Sequence, residues 1–198
     1  MNTRLLLLLC IMASFFYGCT DSIVELEAVF GDFTLDLDRK IAVFDGTIDS
    51  EAEADLSEML GFYNTVEEIR FENATGASSA SSAFAMAELI SANNLTTSIV
   101  ENGEISQFAT YVFLGGTSRS LGDNAKIGVN SWQTNNGIEA STLSEDNNVH
   151  DPFISFLMNN GYSEDDAQEF YFFTLNAASS SEVHYLSKEE INNFRLIN

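Results

Sequence analysis

Hydrophobic positions along this chain alternate between the period of a strand and the period of a helix. Apolar and polar residues alternate over positions 23–38, which predicts one or two N-terminal strands with a turn at Gly31–Asp32. The next pattern predicts a strand, a helix and a strand, at Ile41–Phe44, 51–62 and Val66–Phe71. Because a strand–helix–strand order favours parallel strands joined by right-handed crossovers, we expect a mainly parallel sheet.

The same alternation continues to position 132. It predicts a helix at Ala83–Ser91, a strand at Leu95–Val100 and a helix at Ser106–Leu114 that Gly115-Gly116 ends. A loop at Thr117–Ala125 and a strand at Lys126–Trp132 follow. Positions 133–148 are rich in Asn and Thr and predict a long surface loop or lid. Two amphipathic helices follow, the first at Phe153–Asn159.

Several residues are typical helix caps. Asp49 or Ser50 precedes the first predicted helix, and Ser163 precedes three acidic residues that suit the first turn of another. Ser187, with Glu190 three residues later, has the spacing of a capping box. We therefore predict a final short helix after a closing strand at Tyr185.

Composition limits the number of domains and the kinds of partner. The chain has 198 residues, of which 45% are hydrophobic and 16 are Phe, so one packed domain is expected. Its formal net charge is -22. This charge argues against binding to nucleic acid or to an anionic membrane face, since both require clustered Lys and Arg. The acidic residues are dispersed, which is typical of a solvated surface.

The N-terminus has the pattern of a targeting segment. Arg4 is followed by an apolar run that ends at Tyr17, which is too short to span a bilayer. The run ends in Gly18-Cys19, and polar residues follow at once. This resembles a bacterial lipobox, although Phe16 replaces the usual Leu; the alternative is an ordinary secretory signal with an incidental cysteine.

The cysteines are consistent with lipidation of Cys19. The chain has two cysteines, and Cys10 lies inside the predicted signal, so its removal leaves no partner for an intrachain disulfide. Several acyl chains on Cys19 would anchor the protein firmly to a membrane. Thr20, rather than Asp, follows Cys19, and by resemblance to enterobacterial sorting this favours the outer membrane.

The stretch Gly103–Trp132 contains a turn, an apolar helix, a Gly-Gly break, a polar loop and a short strand. Its short motifs are Phe113-Leu114-Gly115-Gly116 and Gly128-Val129-Asn130-Ser131-Trp132, preceded by Thr75-Gly76. Together they resemble the active-site half of the Clp-protease/crotonase superfamily, and most of all the bacterial periplasmic Clp-protease-like proteins. The resemblance covers Ile41–Trp132 and again Tyr185–Ile197. It implies an α/β fold of repeated strand–helix units around a twisted, mainly parallel sheet.

The resemblance also assigns the catalytic positions. In the superfamily's peptidases a serine begins the helix after the third strand, and a histidine lies on the following strand. Counting from the Gly-Gly break and from Ile127-Gly128-Val129 places Gln107 and Asn130 at these positions. Neither side chain titrates near neutral pH, so both catalytic groups are expected to be lost. The oxyanion-type loop corresponds to Gly76 and Ala77, and an alanine tolerates positive φ poorly.

An alternative keeps catalysis with other residues. Ser106 is one position before Gln107 and could attack a substrate if His184 or His150 served as the base. The simpler role for Ser106 is to cap the helix, and each histidine is typical of a surface or satisfied position. The sequence has no motif for a metal or a cofactor, so we expect neither.

These observations predict three segments: a signal peptide over 1–18, a lipidated N-terminus with N-terminal strands over 19–40, and a Clp-protease/crotonase-like domain over 41–198. The leading hypothesis is a lipid-anchored periplasmic protein that no longer catalyses and instead binds a peptide or a partner protein. The alternatives are an active serine hydrolase that uses Ser106 and a purely structural envelope lipoprotein. The resemblance also implies that further copies of this chain are possible partners, since members of the superfamily often assemble into rings or trimers.

Overall fold

The computed structural model describes residues 28–76 and 79–198. The predicted signal peptide, Cys19 and Ala77 lie outside the described residues. In the described part of the chain, no helix is both long enough and apolar enough to cross a membrane.

The described strands form one eight-stranded sheet. In chain order they are β1 (Ala28–Phe30), β2 (Phe33–Asp36), β3 (Ile41–Asp45), β4 (Glu68–Thr75), β5 (Thr96–Ser106), β6 (Arg119–Leu121), β7 (Lys126–Val129) and β8 (His184–Tyr185). The spatial order is β1-β2-β3-β4-β5-β7-β8, with β6 beside β5. The pairs from β3 to β7 are parallel, and the pairs at both ends of the sheet are antiparallel.

Helices connect the parallel strands and follow β7. They are α1 (Ser50–Phe62), α2 (Ala80–Ala92), α3 (Ala109–Leu114), α4 (Asp151–Asn159), α5 (Glu164–Ala177) and α6 (Lys188–Asn193), with a short 3-10 helix at Ala140–Thr142. The predicted α/β fold with a mainly parallel sheet is therefore confirmed.

The predictions that depend on local sequence agree with the structure. The N-terminal hairpin turns at Gly31–Asp32, as the alternation of apolar residues predicts. Asp49 caps α1, because its carboxylate accepts from the backbone N–H groups of Glu51 and Ala52 at 2.9 Å. Ser163 caps α5, and Ser187 with Glu190 forms the predicted capping box at α6.

Around β5 the sequence prediction of the elements is wrong. The strand does not end at Val100 but continues to Ser106, through Asn102 at a φ of 59°. Its two halves pair with different strands, first β6 and then β7, and β6 lies in a segment predicted as loop. Ser106 pairs with Thr75 on one side and Gly128 on the other, so it belongs to the sheet, and α3 begins only at Ala109. Ser106 is therefore not the helix cap that we predicted.

The hydrophobic core lies where the helices pack on the sheet. Its largest fully buried side chains include Tyr171, Phe33, Phe44, Phe71, Phe113 and Phe170. Close packing of α3 against α2 requires Gly115, because a Cβ there would lie 2.6 Å from the carbonyl oxygen of Ala87. Gly115, the first glycine of the predicted Gly-Gly break, thus allows α3 to pack closely on α2.

Candidate functional site

The turn between β5 and α3 holds Gln107 in an uncommon backbone conformation. Its φ is 58°, a region that few residues other than glycine occupy and that costs about 1–3 kcal/mol. The backbone N–H of Gln107 donates to the carbonyl of Gly128 at 3.2 Å, and its own carbonyl accepts from Thr110 at 3.2 Å. The sheet and the helix together therefore hold a strained residue at the point where the sequence predicts the nucleophile position.

The carboxyl ends of three neighbouring parallel strands meet at this turn. Thr75 at the end of β4 pairs with Ser106, and Ser106 pairs with Gly128 of β7. One residue further along each strand, Gly76, Gln107 and Val129 follow at the same edge of the sheet. Ligands of parallel α/β sheets bind at such edges, so this edge is the first place to look for a site.

Gln107 and Asn130 line the same small cavity, with Thr110, Tyr111, Trp132, Phe170 and Thr174 among its other lining residues. The cavity has a volume of about 10 Å³. That is about the space of a single water molecule and far below that of a peptide side chain. Asn130 is further held by its Nδ2, which donates to the carbonyl of Ser180 at 3.2 Å.

An aromatic cluster around Phe153 packs beside this cavity and shares Tyr111 and Trp132 with its lining. Phe153 of α4 is 4% exposed and stacks on Trp132 and on Tyr171, with ring centroids 5.1 Å apart in both pairs. Phe108 and Tyr111 lie 6.0 and 5.6 Å from the same ring. The helices after the predicted surface loop therefore pack into the site rather than standing away from it.

A buried hydrogen-bonded chain runs behind the cluster. Trp132 Nε1 donates to Tyr171 Oη at 3.2 Å, and Tyr171 Oη lies 2.8 Å from His150 Nδ1. Burial raises the pKa of the Tyr171 hydroxyl, so it stays protonated and can donate to His150. His150 is fully buried, and its Nε2 has no hydrogen-bond partner among the described residues. Of the surface or satisfied position that the sequence predicts, His150 thus has neither in full: it is an interior residue with one of its two ring nitrogens hydrogen-bonded.

Ser106 and His184 lie on opposite faces of the sheet. Ser106 shares its face with Gly128 and Tyr185, since a Cβ on Gly128 would lie 2.9 Å from Ser106 Cβ and 3.3 Å from the Tyr185 ring. His184 pairs with Val129 and faces the other side, because side chains alternate along a strand. Its Nε2 lies 3.1 Å from a carboxylate oxygen of Glu190.

Ser106 is not hydrogen-bonded to either histidine in the described residues. It is also 3% exposed. A general base must lie within hydrogen-bond reach of the proton that it takes. Within the described ranges, no group of His, Cys, Asp and Glu could hold a metal ion either.

A second polar group next to Asn130 was not predicted from the sequence. Glu139 accepts from the Ser180 hydroxyl and from Gln133 Nε2, the latter at 3.0 Å. The Ser180 hydrogen bond, followed by that of Gln133, lowers the pKa of the Glu139 carboxyl. Glu139 thus ties the loop after β7 to the segment after α5 and helps to hold Asn130 in place. Forty-one positions separate the two residues, so no local pattern could have shown it.

Comparison with known proteins establishes the fold. No family model and no curated protein matches the chain. Among solved structures it is similar to a variant of ClpP1 from Listeria monocytogenes (15% identity, 82% of this chain and 91% of that chain, TM-score 0.57). It is also similar to a variant of the 1510-N membrane-bound stomatin-specific protease (17%, 80% and 76%, TM-score 0.55). A third similar structure is a peptidase from Plasmodium falciparum (12%, 82% and 95%, TM-score 0.57).

These identities are low, and the likeness therefore concerns the backbone. Each of the three structures is matched over three quarters or more of its length, with a TM-score above 0.5. The described chain has the fold of the Clp proteases.

Proposed function

We propose that this protein is a non-catalytic, lipid-anchored protein of the periplasm that binds a peptide or a partner protein. The observation that supports this most is the pair Gln107 and Asn130 around a cavity of about 10 Å³. They occupy the strand ends at which this fold can place a nucleophile and a base. Neither an amide oxygen nor an amide nitrogen can act as a nucleophile or general base near neutral pH.

The closed state of the cavity supports the same proposal. A peptide bond can be attacked only if it reaches the reacting side chain at about 3–3.5 Å. Here the cavity of about 10 Å³ is too small for a peptide, and the ring of Trp132, which lines it, stacks on Phe153. A retired catalytic site no longer needs access to solvent, so filling it with aromatic side chains can stabilise the fold instead.

The partner is proposed to bind the outer surface of α4 and of the loop before it. Met158 on α4 is 43% exposed, and Ile138 in the preceding loop is 46% exposed. A photo-crosslinking residue at position 158, compared with one at the exposed polar Glu58, tests this proposal in cells. Crosslinks at 158 alone support the proposal, and a crosslink between two copies would identify a homo-oligomer. Equal crosslinking at both positions would count against it.

The loss of catalysis is tested by a hydrolysis assay with fluorogenic peptides and esters. We expect the full-length protein and its Ser106→Ala variant to give the same signal as a buffer blank. Hydrolysis by the native protein that disappears in Ser106→Ala would overturn the proposal. A Gly61→Ala variant serves as a control for folding, since Gly61 lies on α1 and a Cβ there meets no atom within 4 Å.

The lipid anchor is tested by fractionating cells that express the protein. We expect Cys19→Ser to release the protein from the outer-membrane fraction, because the acylated residue is gone. Cys10→Ser is the matched control, since it changes the other cysteine of the chain inside the predicted signal. Membrane attachment that survives in Cys19→Ser would show that another feature anchors the protein.

A further inference from the structure

A second pocket lies at the far end of α3, away from Gln107. It has a volume of about 450 Å³ and is lined by Gly116, Arg119, Asn159, Tyr162 and Arg195, among others. This volume is within the usual range of small-molecule sites, roughly 300–1,000 Å³. Two of the eight basic residues of the chain line this one pocket, although the formal net charge is -22.

Arg119 carries a half-buried positive charge, and its side chain forms no ion pair with a carboxylate within residues 28–76 and 79–198. Its Nε donates to the carbonyl of Leu196 at 2.7 Å, and its two terminal nitrogens donate to Gly116 at 3.1 Å and to Arg195 at 3.3 Å. These acceptors are neutral, and they use three of the five N–H donors of the guanidinium. Burial lowers the pKa of Arg119, as expected for a charge that lacks a counter-charge.

Most other cations of the described chain differ from Arg119 in this respect. Five of them form ion pairs with carboxylates: Arg39, Lys40, Arg70, Lys126 and Arg195. The sixth, Lys188, is exposed and can be neutralised by solvent. Among the described residues, Arg119 is thus a half-buried cation that has no ionic partner. It also lines the pocket. Charges removed from water are normally paired, so a counter-ion is expected there.

Arg195 brings a second guanidinium to the same pocket. Its backbone is strained, with a φ of 51°, a conformation that residues other than glycine seldom adopt. Its side chain is paired with the carboxylate of Asp166, but that pair is well exposed to solvent. Exposed ion pairs contribute little, so an incoming anion can compete for Arg195. The strain is consistent with a residue that is kept for its position over the pocket.

We propose that this pocket binds a small anion of the carboxylate or phosphate type through Arg119 and Arg195. Both groups match the planar fork of a guanidinium. The side-chain amide of Asn159, which has no hydrogen-bond partner in the described chain, adds an N–H donor to the lining of the pocket. The large negative charge of the whole protein repels anions, so binding elsewhere on the surface is unfavourable.

Calorimetric titration of the full-length protein with sodium phosphate and with sodium succinate tests this proposal, with sodium chloride at equal ionic strength as the blank. We expect saturable binding to one site. Tighter binding of succinate would indicate a carboxylate ligand, and tighter binding of phosphate a phosphate ligand. No saturable heat with either anion up to about 50 mM, which corresponds to less than about 2 kcal/mol of binding free energy, would overturn the proposal.

Variants of the pocket sharpen the test. Arg119→Gln is expected to weaken binding by about tenfold or more, and Arg195→Gln by about threefold. Because Arg119 also holds the chain at residues 195–196, its variant could unfold, and Asp166→Asn provides an independent test. Removing the competing carboxylate should strengthen binding about threefold. Arg39→Gln, which removes an exposed charge of another ion pair, is the matched control and should change nothing. Unchanged affinity in both Arg195→Gln and Asp166→Asn would overturn the proposal.

Discussion

The two ends of α3 differ in the volume of the cavity beside them and in the charge of the residues that line it. At its N-terminal end, Gln107 and Asn130 line a cavity of about 10 Å³ beside the aromatic cluster. At its C-terminal end, Arg119 and Arg195 line a pocket of about 450 Å³. The helix between them has six residues, so the two ends are about 9 Å apart along its axis. At the carboxyl ends of the parallel strands there is thus room for about one water molecule, whereas the larger pocket and the two arginines lie at the other end of the helix.

The filled end is best understood as part of the core. Phe153 contacts rings from α2, from α3, from the segment after β7 and from α5. Each such aromatic pair contributes roughly 0.5–1.5 kcal/mol beyond the burial of its area. At the open end, Tyr162 stacks on Phe170, and Arg119 and Tyr162 donate hydrogen bonds to backbone carbonyls.

The largest effect is expected where the closed end is most tightly packed. Phe153→Ala should lower the free energy of unfolding by about 3–5 kcal/mol, because it leaves a cavity in the aromatic cluster. Phe62→Ala is the matched control, since Phe62 is 71% exposed and its loss should change stability by no more than about 0.5 kcal/mol. Denaturant unfolding measures both. A small loss in Phe153→Ala would show that the cluster is a mobile cover and not core.

A smaller effect is expected from the hydrogen-bonded chain behind the cluster. Tyr171→Phe removes the hydroxyl that bonds both Trp132 and His150, and leaves two buried groups unpaired. We expect a loss of about 1–3 kcal/mol in the same unfolding measurement. Tyr185→Phe is the control, because Tyr185 is 43% exposed. If the two variants lose the same stability, the buried chain contributes nothing particular to the closed end.

The smallest effect concerns the cap of α6 and depends on pH. The backbone N–H of Ser187 is the main cause that lowers the pKa of the Glu190 carboxyl below its usual value. A lowered carboxyl pKa stabilises the fold above the unfolded pKa of about 4.3, and this stabilisation is lost as pH falls through the folded pKa. Glu190→Ala should therefore cost about 1 kcal/mol at pH 7 and progressively less as the pH falls below about 4.

Glu189→Ala is the matched control for that measurement. Glu189 also lies in the first turn of α6, so it shares the interaction with the helix dipole but not the capping box. A pH-independent loss in Glu190→Ala, or an equal loss in Glu189→Ala, would contradict the assignment of the effect to the cap.

Local sequence patterns predicted much of this fold. The strand–helix alternation, the turn at Gly31–Asp32 and the caps at Asp49, Ser163 and Ser187 depend on neighbours in sequence, and the structure agrees with them. The extension of β5 to Ser106 and the existence of β6 depend on pairing between distant segments. Period and propensity carry no information about such pairs, which is why these predictions failed.

The site shows the same division. Counting along the sequence from the Gly-Gly break and from Ile127-Gly128-Val129 selected Gln107 and Asn130, and in the structure both line the same cavity. The packing of Phe153 and Tyr171 near the cavity could not be predicted, since both come from helices that pack back from further along the chain. Arg119 likewise obtains its role from contacts with residues 195 and 196, more than 70 positions away.

The proposal that the site no longer catalyses is tested most directly by labelling with a fluorophosphonate probe, mapped to the modified residue. The native protein, Ser106→Ala, Trp132→Ala and Trp132→Ala combined with Gln107→Ser and Asn130→His should be compared. Trp132→Ala is included because its ring lines the cavity and would otherwise keep the probe out. The account predicts labelling only in the combined variant, at position 107. Labelling of the native protein at Ser106, lost in Ser106→Ala, would contradict it.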